Sequence, residues 1–162
     1  MFKKLFGNKE QFVSILAPVK GKVLALEEVP DPVFSERMMG EGIAVEPTDG
    51  TVVSPVEGEV VQLFPTKHAV GLKTKTGAEI LIHIGLETVS MDGEGFEAFV
   101  KQGDKVKAGD RLITFDVNLV GEKAKSTVTP IIITNSDEFE VKLTEEKEAT
   151  AGETELLTVN NK

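Results

Sequence analysis

Two histidines, His68 and His83, are the only imidazole side chains of the chain, and the predicted strands bring them together. A tight turn would pair the candidate strands Ala69–Thr74 and Glu79–Ile84 as a hairpin, with the histidines near opposite positions. Alternation along a strand places His83 on the same face as Leu81. Because the chain has no cysteine, thiolate catalysis, disulfides and cysteine-ligated metals are excluded.

Two adjacent imidazoles are compatible with three chemistries. They could bind zinc together with a carboxylate and water, or act as a base and a nucleophile. Alternatively, one ring could accept a phosphoryl group on nitrogen while the other ring and a hydroxyl such as Thr66 hydrogen-bond to its oxygens. An imidazole with a pKa near 6.5 is an available nucleophile at neutral pH. A zinc hydrolase is disfavoured, because it would usually carry a His-x-His pair and a further ligand.

Length and charge limit the remaining classes of function. The 162 residues carry a net charge of −9, which argues against nucleic acid as a partner. Residues 11–162 are expected to form one domain, and no apolar run approaches the roughly 20 residues of a membrane helix. Residues 1–10 are expected to be a flexible tail. Its apolar residues, Phe2, Leu5 and Phe6, would share one helical face beside lysines, so membrane contact would be peripheral at most.

The pattern of short β-branched runs separated by Gly, Pro and Asp predicts an all-β fold. We expect one antiparallel β-sandwich domain, similar to a barrel-sandwich, with one or two short helices. These helices are predicted at Val117–Ala124 and, as a single turn, near Glu94–Lys101. The candidate strands are Val13–Ala17, Lys22–Leu26, Gly42–Glu46, Gly50–Ser54, Gly58–Phe64, Ala69–Thr74, Glu79–Ile84, Arg111–Asp116, Pro130–Thr134 and Leu156–Val159.

An internal pseudo-repeat supports this architecture. The pattern Pro-Val-x-Gly-x-Val-x-x-Leu occurs at Pro18–Leu26 and again at Pro55–Leu63. Each copy predicts a turn followed by an alternating strand, so the halves are expected to be related by pseudo-symmetry. Two Gly-Asp turns, at Gly103 and Gly109, suggest the folds that carry biotinyl and lipoyl groups. The Met-Lys-Met attachment motif of those carriers is missing from the sequence.

Six motifs occur in order along the chain: Val29–Phe34, Gly40–Ala44, Pro65–Ala69, Leu81–Val89, Gly93–Phe96 and Thr129–Pro130. Taken together, they resemble one known family, the glucose-type IIA components of the bacterial phosphoenolpyruvate:sugar phosphotransferase system. The resemblance extends from about residue 12 to residue 160. It implies an antiparallel β-sandwich with a shallow active-site depression.

The resemblance also implies roles for the candidate residues. His83 would accept phosphate at Nε2 from a histidine-containing phosphocarrier protein and pass it to a cysteine of the IIB domain of a sugar permease. His68 would be the supporting imidazole, and Thr66 would hydrogen-bond to it. Such a phosphotransferase component requires no cofactor. Zinc bound between His68 and His83, with a carboxylate from a partner, is a further option of the family.

A partner-docking surface is implied around the histidines. It would comprise an apolar collar and two carboxylates at its rim, which can steer basic partners. The implied partners are the phosphocarrier protein, the IIB/IIC permease and, in the unphosphorylated state, regulated permeases or metabolic enzymes. The expected location is the cytoplasm. The collar residues are Phe34, Met38, Met39, Phe64 and Val89, and the rim carboxylates are Asp31 and Glu87.

Overall fold

The computed structural model describes residues 12–162, which form fourteen β-strands and two short α-helices. The predicted tail at residues 1–10 lies outside these residues. Helix α1 spans Pro32–Ser35 and helix α2 spans Val117–Lys123. The strands are β1 Phe12–Leu16, β2 Gly21–Ala25, β3 Glu41–Pro47, β4 Thr51–Val53, β5 Gly58–Leu63, β6 Ala69–Lys73, β7 Glu79–His83, β8 Phe96–Ala98, β9 Lys105–Val106, β10 Arg111–Phe115, β11 Thr129–Ile133, β12 Phe139–Leu143, β13 Glu148–Ala149 and β14 Glu155–Asn161.

All strand pairs within residues 12–162 are antiparallel, which confirms the predicted β-sandwich class. The largest sheet has eight strands in the order β13-β2-β3-β11-β7-β6-β5-β9. Two three-stranded sheets, β1-β14-β12 and β4-β10-β8, complete the layers. No helix within the described residues is long and apolar enough to cross a membrane.

The eight-stranded sheet buries side chains on both faces. Ile80, Ile82 and Ile84 point into the main core that this sheet shares with the two smaller sheets. Leu81 points to the other face, into a second apolar cluster that contains Phe34. Because side chains alternate along β7, His83 lies on the Leu81 face, as predicted. The main core therefore supports the strand, while the second cluster forms the floor of the site.

The pseudo-repeat is visible as a reciprocal pair of hydrogen bonds. The Leu16 N–H donates to the Pro55 carbonyl at 3.0 Å, and the Val53 N–H donates to the Pro18 carbonyl at 2.8 Å. Each donor lies two residues before the proline of its own copy. In each copy, the strand that follows the turn begins by pairing with a two-residue strand from later in the chain. Strand β2 pairs with β13, and β5 pairs with β9. The two halves therefore interlock about an approximate two-fold axis.

The predicted helical turn near Glu94–Lys101 is wrong. Residues Phe96–Ala98 form β8, an edge strand that pairs with β10. Phe96 is buried, and its ring stacks on Phe115 with 6.1 Å between centroids. Tertiary pairing at this sheet edge therefore overrides the weak local preference for a turn. The helix predicted at Val117–Ala124 is confirmed as α2, where the Asp116 carboxylate caps the N-terminus by accepting from the Leu119 N–H.

Candidate functional site

The β6–β7 hairpin brings the two histidines into contact. Ala69 pairs with His83 across the two strands, and the Ile84 N–H donates to the His68 carbonyl at 2.7 Å. The two imidazole rings lie edge to face, with 5.0 Å between their centroids. The proximity predicted from the hairpin is therefore present. His68 is buried, with 5% of its surface exposed, whereas His83 is only partly buried.

A backbone carbonyl determines the tautomer of His83. Its Nδ1 lies 2.8 Å from the Gly85 carbonyl oxygen. A carbonyl oxygen only accepts hydrogen bonds, so a neutral His83 carries its proton on Nδ1. The lone pair of Nε2 is then available to an electrophile.

A hydroxyl orients the other ring. The Thr66 Oγ1 lies 2.5 Å from the His68 Nδ1. Since a hydroxyl can donate or accept, this contact permits both tautomers of His68. When Thr66 donates, His68 carries its proton on Nε2 and can donate from that nitrogen. The two rings would then be complementary, one with a free lone pair and one with a free N–H.

Two phenylalanines pack against the imidazoles. Phe34 lies 5.2 Å from His83 and Phe64 lies 5.4 Å from His68, measured between ring centroids. Helix α1 positions Phe34, and its N-terminus is capped by the Asp31 carboxylate, which accepts from the Val33 N–H at 3.0 Å. Pro32 at the first helical position is pre-organised for the helical backbone angle. Phe34 is buried, so its contribution to the site is the contact with His83.

Burial keeps both imidazoles neutral. Desolvation, helped by the neighbouring His83, lowers the pKa of His68 to about 4. Desolvation also lowers the pKa of His83, opposed by the hydrogen bond with Gly85 and by the negative charge of Asp31. Both rings are therefore uncharged at pH 7. The site can present a neutral nucleophile and a neutral hydrogen-bond donor.

Three of the five predicted collar residues are exposed, and we call them the exposed apolar rim: Met38, Met39 and Val89. Met38 is 69% exposed and Val89 is 57% exposed, and Met39 and Val33 also reach the surface. Large exposed apolar side chains near a cleft are typical of docking surfaces. Val33 is not among the predicted collar residues. The carboxylate of Glu87 is exposed and that of Asp31 is partly buried.

The loop after β7 has an unusual backbone. Gly85 has φ +74°, and Glu87 has φ +59° although it is not glycine. A Cβ on Gly85 would lie 2.7 Å from the Thr88 Cγ2 and 2.9 Å from the Ser126 carbonyl oxygen. Only glycine fits this position. The sequence predicts the two histidines but not the Gly85 carbonyl, although a glycine directly after a strand is a signal for such a turn.

Metal binding would need a ligand from outside the described residues. No group of three or more His, Asp, Glu or Cys side chains within residues 12–162 is arranged to hold a metal ion. The two free imidazole nitrogens fit zinc in type, but a zinc site needs at least three protein ligands. Zinc between His68 and His83 therefore stays a prediction that requires a further donor.

Comparison with known proteins identifies the family. Residues 13–139 match the family described as "phosphoenolpyruvate-dependent sugar phosphotransferase system, EIIA 1". Proteins named "PTS system glucose-specific EIIA component" from Bacillus cereus and Halalkalibacterium halodurans are 61% and 57% identical to the chain. The first alignment covers 100% of both chains, and the second covers 98% of both.

A solved structure agrees with these relatives. The glucose permease IIA from Mycoplasma capricolum is 43% identical and superposes with a TM-score of 0.83, covering 91% of this chain and 95% of its own. The chain therefore belongs to the EIIA 1 family and is a component of the phosphoenolpyruvate-dependent sugar phosphotransferase system.

Proposed function

We propose that the chain is a phosphohistidine carrier in which His83 is the phosphoryl acceptor. The observation that carries the proposal is the hydrogen bond between the His83 Nδ1 and the Gly85 carbonyl. It leaves the Nε2 lone pair free on a partly exposed ring, next to a second, buried imidazole. Family membership supports phosphoryl transfer as the reaction class.

The proposed step exchanges one P–N bond for another. The Nε2 lone pair of His83 attacks the phosphorus of a phosphohistidine on a phosphocarrier protein, and the donor nitrogen leaves with its electron pair. The Nδ1 proton stays on His83, hydrogen-bonded to Gly85, throughout. In the next step a cysteine thiolate of a IIB domain attacks the same phosphorus, and Nε2 regains its lone pair. Because this chain has no cysteine, that acceptor must belong to another domain or chain.

His68 and Thr66 would stabilise the phosphoryl oxygens. With Thr66 donating to the Nδ1 of His68, the Nε2–H of His68 can donate to a phosphoryl oxygen. In the unphosphorylated protein the pKa of His68 is lowered to about 4, so His68 would meet the incoming phosphoryl group as a neutral donor. A neutral donor positions the group without holding it as strongly as a charge would, which suits a carrier that must release its phosphate.

The exposed apolar rim is the proposed docking surface for both partners. Methionine side chains adapt to surfaces of different shape, and Met38 and Met39 are both exposed. The carboxylates of Asp31 and Glu87 would steer basic partner residues. Binding of regulated permeases or metabolic enzymes in the unphosphorylated state would use this same surface. The relay implies a sugar permease, glucose-specific by analogy with the relatives, as the final destination, and a cytoplasmic location.

Phosphorylation tests the proposal directly. The chain is mixed with phosphoenolpyruvate, magnesium and the general phosphotransferase proteins, and the phosphorylated product is measured by intact mass. We expect one acid-labile, base-stable phosphate on the wild type and on His68→Gln, and none on His83→Gln. His68→Gln should pass its phosphate on slowly. An unlabelled wild type would refute the proposal, and labelled His83→Gln with unlabelled His68→Gln would reverse the two roles.

Zinc is not part of the proposed reaction. Phosphoryl transfer depends on positioning and charge stabilisation, and the proposal assigns both to His68 and Thr66. The rate of labelling should therefore be the same after chelation and dialysis, with metal content measured by atomic spectrometry. A labelling rate that falls on chelation and recovers with zinc would contradict this part of the proposal.

A further inference from the structure

The turn that holds the Gly85 carbonyl is fixed from both sides. The Leu86 N–H, which belongs to the same peptide unit as the Gly85 carbonyl, donates to the Ser126 carbonyl at 2.9 Å. The preceding peptide unit carries the Ile84 carbonyl, which accepts from the Thr88 hydroxyl at 2.7 Å. Because a peptide unit is planar, fixing one of its polar groups fixes the direction of the other.

The Thr88 side chain contacts this turn through both its hydroxyl and its methyl group. Its side chain is fully buried, and its hydroxyl bonds to the Ile84 carbonyl. Its Cγ2 lies only 2.7 Å from the position that a Cβ on Gly85 would take, so the methyl group fills the space beside that glycine. The position of Thr88, directly after the left-handed Glu87, lets the hydroxyl reach back over the turn.

We propose that Thr88 is a positioning residue that aims the Gly85 carbonyl at the Nδ1 of His83 and thereby sets the His83 tautomer. It touches neither the phosphoryl group nor the ring, and acts through the turn between Ile84 and Leu86. Without the hydroxyl, the bond from the Leu86 N–H to Ser126 alone holds the turn. The released Ile84–Gly85 peptide unit then lets the Gly85 backbone angles change, and the Gly85 carbonyl loses its alignment with Nδ1. The proton of His83 then distributes over both ring nitrogens, and the nucleophilic form is depleted. The catalytic consequence rests on the proposed function, whereas the tautomer does not.

The tautomer can be read directly in the unphosphorylated protein. Long-range proton–nitrogen correlation spectra distinguish the protonated from the unprotonated nitrogen of each imidazole. We expect a single Nδ1–H tautomer of His83 in the wild type and in Thr88→Ser, which keeps the hydroxyl. Thr88→Val, which keeps the volume but not the hydroxyl, should show a mixture. Its rate of phosphorylation should fall roughly fivefold or more, as expected for one lost hydrogen bond.

Two further variants distinguish a change in the orientation of the Gly85 carbonyl from general destabilisation of the protein. Thr74 is also buried, with a hydroxyl that accepts from the Ala78 N–H, and it lies at the far end of the same hairpin. Thr74→Val should leave the His83 tautomer and the labelling rate unchanged. If Thr88→Val does not fold, Thr88→Ala, which also removes the hydroxyl, is measured in the same way.

An unchanged tautomer in a folded Thr88→Val or Thr88→Ala variant would overturn the proposal for Thr88, whatever the labelling shows. A mixed tautomer in Thr74→Val would also overturn it, because the effect would then be unspecific. Failure of the proposed function has a different signature: the wild type would take up no phosphate while the tautomers behaved as described.

Discussion

Replacing His68 with glutamine should remove a large part of the dependence of stability on pH. In the unfolded chain, histidine binds a proton near pH 6.5, whereas burial lowers the pKa of His68 to about 4 in the folded chain. Between these values the unfolded state holds more protons, so the free energy of unfolding decreases as the pH falls. Above about pH 7.5 both states are neutral, and the contribution is constant.

The magnitude follows from the two pKa values. One pKa unit corresponds to about 1.4 kcal/mol, so the full difference is about 3 kcal/mol. Because pH 5 lies only about 1.5 units below the unfolded pKa and still above the folded one, about 2 kcal/mol of this should be lost between pH 8 and pH 5. His83 contributes in the same direction and is retained in the variant, so the difference between the two proteins reports His68 together with its coupling to His83.

The assay is urea unfolding of the wild type and His68→Gln at half-unit steps from pH 8 to pH 5. Any constant cost of placing glutamine in the site is measured at pH 8 and subtracted. Carboxylates titrate equally in both proteins and cancel in the comparison. With the curves superposed at pH 8, we expect the wild type to fall below His68→Gln by about 2 kcal/mol at pH 5. Curves that stay parallel within the error of the extrapolation would refute the argument that burial keeps His68 neutral.

Three further substitutions test the turn, the strained backbone and the docking surface. Gly85→Ala should lower the free energy of unfolding by at least about 2 kcal/mol in urea. Gly77 also has a positive φ, +96°, but no atom lies near an added Cβ, so Gly77→Ala should cost about half as much. Equal losses would contradict the conclusion that only glycine fits at position 85. Lys67→Gly should raise the unfolding free energy by up to about 1 kcal/mol because Lys67 has φ +61°; a loss would contradict this. Met38→Asp should lower kcat/KM for phosphorylation about tenfold with stability unchanged. Leu143 is another exposed apolar residue, and Leu143→Asp should leave kcat/KM unchanged. Equal effects of the two substitutions would show that Met38 is not part of the docking surface.

The hairpin and the two histidines were predictable because they depend on local patterns. Alternation along β7 predicted that His83 and Ile82 lie on opposite faces of the sheet, and closure of the hairpin predicted that His68 lies beside His83. The N-terminal tail, by contrast, lies outside the described residues and stays a prediction.

Other parts of the fold depend on distant segments, so the sequence could not show them. Strand β8 exists because Phe96 packs on Phe115 from β10. The orientation of the Gly85 carbonyl depends on Ser126, forty-one residues further along the chain. Strand β12, in the acidic C-terminal region, forms only by pairing with β14. No short-range pattern carries this information.

The pseudo-symmetry was predicted only in part. The Pro-Val-x-Gly copies were visible because their residues repeat. The second half of the repeat, in which the Gly152 and Gly109 N–H groups donate to Ala17 and Ser54, is recognisable only from the hydrogen bonds. The segments around Gly109 and Gly152 form equivalent backbone hydrogen bonds but differ in most of their side chains. No sequence motif could therefore indicate this half of the repeat.

The most direct test of the central claim is the position of the phosphate on the phosphorylated protein. Phosphorus and nitrogen spectra of the labelled chain distinguish phosphate on Nε2 from phosphate on Nδ1, and assign it to one histidine. We predict a single phosphate on the Nε2 of His83, with its Nδ1 still protonated and bonded to Gly85. Phosphate on the Nδ1 of His83, or on either nitrogen of His68, would contradict the account.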